Sequence, residues 1–341
     1  MVIRADAGPR IGTGHVMRCL ALAQTWQARG GSATFLSRCE SDALRRRIEA
    51  ARISFIPLHQ PHPSPADLAT TLSLLDHDGS RAQSGRWLAL DGYHFDLAYQ
   101  QAVQAAGRRL LVIDDTAHLP RYVADVLVNQ NIHAERLDYR CGPGTTMLLG
   151  TRYAMLRPEF LAWRDWKREI PQAGRRVLVT MGGSDPENAT LKVIRALERV
   201  DVEGLEAVVV VGAGNPHAEE LKRVSPAFIR LISNSQNMPE LMAWADMAVS
   251  GAGSTCWELA FMGLPNLLMV LAENQARIAR GLSECLISIH LGCSSAVDEQ
   301  SLARAVSDLV RDQARRADMS RRARELVDGL GCQRVVEELR R

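Results

Sequence analysis

The feature that most limits the folds open to this chain is an alternation, run through twice, of short aliphatic segments with longer helical patterns. In the first half "ATFLS", "ISFIPL", "RWLALDG", "RRLLVIDD" and "ADVLVNQ" read as strands. Between several of them helices are expected over Val16–Arg29, Asp42–Ala51 and Phe95–Ala106. Such an alternation implies a parallel sheet covered by helices on both faces. The stretch "PLHQPHPSPAD" interrupts it as a proline- and histidine-rich loop. Its His59-x-x-His62 spacing is compatible with a metal, but a surface loop is the simpler reading.

The alternation restarts after "RPEFLAWRDWKREIPQAGRR", which has the helix, proline and glycine of a domain junction. "RVLVTMGG", "EAVVVVG", "IRLISN", "MAVSGAG" and "PNLLMVL" supply the second set of strands. Helices are expected between them over Glu187–Val200, Pro216–Val224, Met238–Ala245 and Ser254–Met262. A chain of 341 residues is long for one core, so two domains are the economical solution. The expected boundary gives an N-terminal domain over 1–157 and a C-terminal one over 158–341, with the last helix free to pack back on the N-terminal domain. The fold class is therefore α/β, two doubly wound Rossmann-like domains facing each other across a cleft.

Several function classes are disfavoured by composition. The net charge of +2 offers no concentrated basic face for nucleic acid, and the arginines of "RRRIEAAR" and "RDQARRADMSRRARELV" fall in helical patterns as solvated faces. No apolar run approaches membrane-spanning length, and the strand-like opening "MVIRA" leaves no room for a signal peptide. Seven scattered cysteines (Cys19, Cys39, Cys141, Cys256, Cys285, Cys293 and Cys332) form no C-x-x-C pair, as expected of reduced thiols in a cytoplasmic protein. No carboxylate pair or histidine cluster has a convincing metal spacing, so neither metal nor cofactor is expected.

Two glycine-rich strand ends carry the chemistry of the second half. In "VSGAGSTCWELAFMGLPNLLM", Gly251 and Gly253 let the backbone approach a ligand closely, and the helix beginning near Ser254 and Thr255 offers unpaired N–H groups to an anion. Glu258, about one turn into that helix, can reach paired ribose hydroxyls. "TMGGSDPENAT" supplies a second glycine turn with Gly182, Gly183 and Ser184, where Ser184 or Asp185 can equally serve as a helix cap. Strand ends of an open parallel sheet converge on one crevice, where ligands bind.

The first half opens with "VIRADAGPRIGTGHVMRCLALA", again strand, loop and helix. It lacks the Lys-Ser/Thr of a P-loop and the spacing of G-x-G-x-x-G. His15 follows Gly12 and Gly14 near the first helical residue, where the positive helix end disfavours imidazolium. "LALDGYHFD" and "LVIDDTAH" end strands with Asp91, Tyr93 and His94, then with Asp114 and Asp115. These residues suit capping and turn formation, or lining of the crevice that holds His15.

Taken together, "RADAGPRIGTGHVMRCLALA", "LDGYHFD", "VIDD", "VTMGGSDPENAT", "SGAGSTCWELAFMGLP" and "ENQ" resemble the UDP-2,4-diacetamido-2,4,6-trideoxy-β-L-altropyranose hydrolases of pseudaminic acid biosynthesis. The resemblance covers essentially the whole chain, and "GTGHVMRCLALA" is its most specific part. It implies a GT-B fold, shared with the glycosyltransferase that makes lipid II, with nucleotide mainly on the C-terminal domain and sugar chemistry towards the N-terminal one. By the same resemblance His15 matches the family's catalytic histidine, Tyr93 and Asn274 lie near the sugar, and Glu258 binds ribose. Gly12, Gly14, Arg18, Gly182, Gly183, Ser184, Gly251, Gly253, Ser254, Thr255 and Gln275 complete the expected substrate and UDP contacts. The 57–80 stretch and the C-terminal extension have no assigned role, and His94 has no match.

The implied reaction is attack of water on the anomeric carbon of a UDP-sugar by a monomeric, metal-independent enzyme. A nucleoside diphosphate leaves easily, its stabilisation by helix N–H groups needs no proton transfer, and one base, His15, suffices. A glycosyltransferase on the same fold and a nucleotide-sugar binding protein without turnover are the alternatives.

Overall fold

Beginning at its first strand, the chain lays down a purely parallel sheet. A computed structural model describes residues 1–341 apart from 9, 10, 77–85, 234 and 236. Pro9 and Arg10 of the opening motif, residues 77–80 of the 57–80 stretch and Asn234 therefore lie outside the described residues.

The N-terminal unit contains β1 (Val2–Ala5), α1 (Gly14–Ala28), β2 (Thr34–Ser37), α2 (Asp42–Ala50), β3 (Ser54–Pro57) and α3 (Pro65–Asp76). These are followed by β4 (Trp87–Asp91), α4 (Leu97–Ala105), β5 (Arg109–Ile113), β6 (Val126–Asn129) and β7 (Thr146–Leu149). After the one-turn α5 (Pro158–Leu161) come β8 (Arg176–Thr180), α6 (Ala189–Leu197), β9 (Glu206–Val211), α7 (Ala218–Val224), β10 (Ile229–Ser233) and α8 (Met238–Trp244). The chain continues through β11 (Met247–Gly251), α9 (Thr255–Phe261), β12 (Asn266–Val270), α10 (Ala276–Glu284) and β13 (Ser288–Cys293). It closes with α11 (Glu299–Arg311), α12 (Gln313–Leu326) and α13 (Gly331–Leu339).

The first sheet has the order β3-β2-β1-β4-β5-β6-β7 and the second β10-β9-β8-β11-β12-β13, with every described pairing parallel. Both are doubly wound. Strand order reverses at β1/β4 in one sheet and at β8/β11 in the other, and such reversals open the crevices that open α/β sheets use for ligands. Compact unit 1 comprises Met1–Pro158 with Leu330–Arg341, and unit 2 comprises Glu159–Gly329.

Alternation along the strands divides the first unit's core between two faces. Ile3, Trp87 and Ala89 pack with α1, whereas Val2, Leu88 and Leu90 pack with Leu75, Tyr99 and Val103 of α3 and α4. Full burial of one such aliphatic side chain contributes about 1.5–3 kcal/mol, so each face holds its helices firmly. The terminal helix α13 joins the α1 side of this core through Cys332, Val335, Val336 and Leu339. The indole of Trp87 donates to the carbonyl of Leu339 over 2.9 Å, which fixes the end of that helix.

Most expected elements are present with ends displaced by one to three residues. Helix α1 begins at Gly14, which places His15 inside the first turn rather than before it. Two edge strands, β7 and β13, go beyond the strands read from the sequence. The proline-rich stretch is irregular only up to Ser64, because Pro65 starts α3, a position where its missing N–H costs nothing. The α3 segment supplies Asp67, which receives the buried guanidinium of Arg4 from β1, the hydroxyl of Tyr99 and the backbone N–H of His62. Residues 57–76 thus help to hold the N-terminal sheet together.

Candidate functional site

In unit 1 the expected residues gather at the β1/β4 reversal. Asp91 is the last residue of β4, wholly buried, and His15 stands on the first turn of the helix that follows β1. Nδ1 of His15 lies 2.5 Å from Oδ1 of Asp91. Arg18, one helical turn after His15, donates from Nε to Asp91 Oδ2 (2.7 Å) and from Nη2 to Asp91 Oδ1 (2.7 Å). Its Nη1 donates to Asp115 Oδ1 over 2.7 Å. Cys19 adds its thiol to Asp91 Oδ2 at 3.3 Å.

Burial pushes the Asp91 carboxyl up, but the charge of Arg18 and the hydrogen bonds from Arg18 and His15 outweigh it and hold it well below the usual carboxylate range. The Cys19 thiol is pushed up by its own burial and by Asp91, and it remains a donor. Nδ1 of His15 also lies 3.2 Å from Arg18 Nη2, but an ionised carboxylate accepts only, and its much shorter contact pairs with a protonated Nδ1, which leaves the lone pair on Nε2. His15 lies at the helix start as expected, and its ring also meets the carboxylate of Asp91.

Arg18, expected at the substrate, is paired within the protein. Its guanidinium is buried and committed to two carboxylates, so it acts on the site by holding Asp91 and Asp115 in place. Burial opposes its charge, and Asp115 and Asp91 more than restore it.

Tyr93 is 37% exposed and donates its hydroxyl to Asp115 Oδ2 over 2.8 Å. Its ring meets that of His15 edge-on, with centroids 5.1 Å apart. Asn131 donates to Asp115 Oδ1 as well. His15, Tyr93, Arg18, Asp91 and Asp115 thus form one connected set.

Asp114 has the turn-forming role considered from the sequence, accepting the N–H groups of Thr116 and Ala117. It also receives the hydroxyls of Tyr122 and Tyr139 and Nδ1 of His118, the last at 2.7 Å. Sequence reading passed over His118 and Asn131; the quoted "DDTAH" contains the former but has no spacing that marks it. His94 places Nε2 3.1 Å from Asp6 Oδ2, and its ring folds over Gly92, where a Cβ would lie 2.7 Å from His94 Cε1. Gly12 has φ +76° and pairs both ways with Gly8, closing the loop that leads to Gly14 and His15.

In unit 2 the two glycine turns lie side by side at the β8/β11 reversal, with Thr180 in register with Ser250. Gly182 and Gly183 follow β8; Gly251 ends β11, and Gly253 and Ser254 lead into Thr255 and Glu258 of α9. A third strand end meets them. A Cβ on Gly212, just after β9, would sit 2.4 Å from the carbonyl oxygens of both Gly182 and Gly183, so only glycine fits there. Gly214 N–H donates to Gly183 O over 2.9 Å.

Asp185 rather than Ser184 caps α6, accepting from the backbone N–H groups of Ala189 and Thr190. The "ENQ" segment forms a 3₁₀ turn over Glu273–Gln275. Gln275 accepts from Leu271 N, and its Nε2 would lie 3.6 Å from a Cβ on Gly253, so this turn abuts the α9 glycine loop. Asn274 is exposed on the same turn. His15 and Tyr93 therefore come together in unit 1, and Asn274 is carried with the glycine turns of unit 2. Among the described residues no group of three or more His, Cys, Asp or Glu is arranged to hold a metal ion. None of their helices is long and apolar enough to cross a membrane.

Two doubly wound units of this kind belong to the GT-B class of fold. A solved structure of that class, MurG from Acinetobacter baumannii, superposes with a TM-score of 0.66 at 16% identity, covering 99% of this chain and 98% of that one. Residues 177–331 match the glycosyltransferase family 28 C-terminal domain. The chain is also similar to curated proteins of bacterial sugar metabolism. It is 22% identical over 293 residues to the UDP-2,4-diacetamido-2,4,6-trideoxy-beta-L-altropyranose hydrolase of Campylobacter jejuni, covering 83% of this chain and 96% of that protein. It is 29% identical over 196 residues to the spore coat polysaccharide biosynthesis protein SpsG of Bacillus subtilis, which is 56% of this chain. That alignment spans only 57% of the Bacillus protein's length.

Proposed function

We propose that this protein is a UDP-sugar hydrolase in which His15 activates water against the anomeric carbon. The observation that carries the proposal is the bond from His15 Nδ1 to Asp91, an ionised acceptor anchored by Arg18. It leaves Nε2 as a lone-pair nitrogen beside Tyr93. His15 Nε2 takes a proton from water as the water oxygen bonds to C1. The bond from C1 to the phosphate oxygen breaks, and its electron pair leaves with UDP. The proton then passes to solvent. Such a positioned base is worth about 10²–10⁴ in rate. The relationship to the Campylobacter hydrolase supports the diacetamido-trideoxy-altropyranose nucleotide as the substrate.

UDP is assigned to the glycine turns of unit 2, with Gly251, Gly253, Ser254 and Thr255 at the diphosphate and Glu258 at the ribose. Gly182, Gly183 and Ser184 extend that surface, and Asn274 and Gln275 border it. The neighbouring strand ends at the β8/β11 reversal support this assignment.

A second reading, a glycosyltransferase, draws on the match of residues 177–331 to a glycosyltransferase domain. UDP release from the purified protein, followed with and without added acceptor sugars, separates the two. A hydrolase releases UDP at the same rate in both, and a transferase releases it only with acceptor.

A further inference from the structure

The ring of Tyr93 meets two histidines. One is His15; the other is His118, whose ring also meets Tyr93 edge-on, with centroids 5.8 Å apart and planes at 85°. The two imidazoles are held alike. Each gives Nδ1 to a buried aspartate at the C-terminal end of a central strand, Asp91 on β4 for His15 and Asp114 after β5 for His118.

Asp114 accepts from Thr116 N, Ala117 N, Tyr122 and Tyr139. Burial pushes its carboxyl up, but these donors, with His118 foremost, keep it below the ordinary carboxylate range. An acceptor already surrounded by donors fixes the proton of His118 on Nδ1, and Nε2 has no hydrogen-bond partner among the described residues. The side chain is 28% exposed, so Nε2 is not sealed in the core.

The backbone supports the same conclusion. Between Asp114 and His118 the chain passes through Ala117 at φ +54°, a left-handed conformation that costs a non-glycine residue energy. That turn returns the imidazole to Asp114 and to the ring of Tyr93. A turn serving only to leave β5 needs neither the strain nor the ring.

We propose that His118 is a further substrate-contacting residue, its Nε2 forming a hydrogen bond with a polar substituent of the sugar held at His15 and Tyr93. The sugar in question carries amide and hydroxyl groups, each able to pair with an imidazole nitrogen. This assignment rests on the UDP-sugar reading above. It places His118 on the sugar and not on the diphosphate, which is assigned to unit 2.

The test is equilibrium binding, which does not depend on turnover. His15→Asn protein is titrated calorimetrically with UDP-2,4-diacetamido-2,4,6-trideoxy-β-L-altropyranose and, separately, with UDP. The titrations are repeated after adding His118→Phe, which keeps a ring against Tyr93, or His118→Gln, which keeps a polar nitrogen. Circular dichroism melting confirms that all variants fold. Loss of one such hydrogen bond is expected to weaken UDP-sugar binding about 3- to 10-fold in the Phe variant, with partial recovery in the Gln variant and no change for UDP. Unchanged UDP-sugar affinity in the Phe variant overturns the proposal, and so does an equal loss for UDP, which would make His118 a phosphate ligand. If His15→Asn protein binds UDP-sugar no more tightly than UDP, the sugar makes no net contact. The UDP-sugar reading then fails together with this one.

Discussion

Nδ1 of His15 and Oδ1 of Asp91 are 2.5 Å apart, and Asp91 in turn accepts two hydrogen bonds from Arg18. The carboxylate thereby decides which imidazole nitrogen carries the proton. Asp91→Asn replaces an acceptor by an amide that can donate to Nδ1, leaving the proton on Nε2, where it blocks base catalysis. Turnover is expected to fall about 10²–10⁴-fold with UDP affinity unchanged. Steady-state kinetics alongside UDP calorimetry checks this, and near-normal turnover would show that the tautomer does not matter.

Arg18 neutralises two buried carboxylates at once. Arg18→Met leaves Asp91 and Asp115 uncompensated in the interior, which is expected to destabilise the protein by about 3–5 kcal/mol. Urea unfolding measures it. A loss of less than about 1 kcal/mol, in the range of an exposed pair, would mean that water reaches these groups freely.

Acid sensitivity has a defined source beside this site. Burial pushes the Asp6 carboxyl up, yet hydrogen bonds from His94 and Arg4, the charge of Arg4 and the N–H of Arg38 bring it down to about 2. A carboxyl depressed on folding stabilises the folded state fully above its unfolded value. That contribution is lost as pH falls through its folded value. Asp6 is thus expected to contribute about 2 kcal/mol at neutral pH, lost between about pH 4 and pH 2. Unfolding curves for the wild type and Asp6→Asn should converge over that interval. Parallel curves would remove Asp6 as the source.

Gly212 tests the glycine turns proposed for the nucleotide without touching a proposed ligand group. Its added Cβ in Gly212→Ala meets two backbone carbonyls at 2.4 Å, so the Gly182–Gly183 turn must shift. UDP affinity is expected to drop about tenfold or more, a loss of about 1.4 kcal/mol, while the His15–Asp91 pair in unit 1 is unaffected. Glu258→Ala should weaken UDP binding with the fold intact. Calorimetry on both variants decides, and full UDP affinity in both would place the nucleotide elsewhere.

Much of this arrangement was legible in the sequence because it depends on local patterns. Aliphatic runs ending in glycine or aspartate marked β1, β4, β5, β8 and β11, and the residues just beyond them are those that meet at the two strand-order reversals. The edge strand β7 was harder to see, since "TMLL" is short, half-exposed and follows a Gly-Pro-Gly turn. The helix α3 was obscured by the prolines before it. Partnerships were less accessible still. That Arg18 bridges Asp91 and Asp115, residues 73 and 97 positions away, follows from the adjacency of β1, β4 and β5 and from no motif. The same holds for His118, whose significance lies in the aspartate behind it and the tyrosine beside it.

The fate of water at the anomeric carbon tests the proposed hydrolysis most directly. The purified protein is incubated with UDP-2,4-diacetamido-2,4,6-trideoxy-β-L-altropyranose in ¹⁸O-labelled water, and the products are weighed by mass spectrometry for wild type and His15→Asn. The account predicts the label in the free sugar and none in UDP, with release slowed about 10²–10⁴-fold by the substitution while UDP affinity is retained. Label in UDP would mean attack at phosphorus, and an undiminished rate in His15→Asn would mean that another group is the base; either result contradicts it.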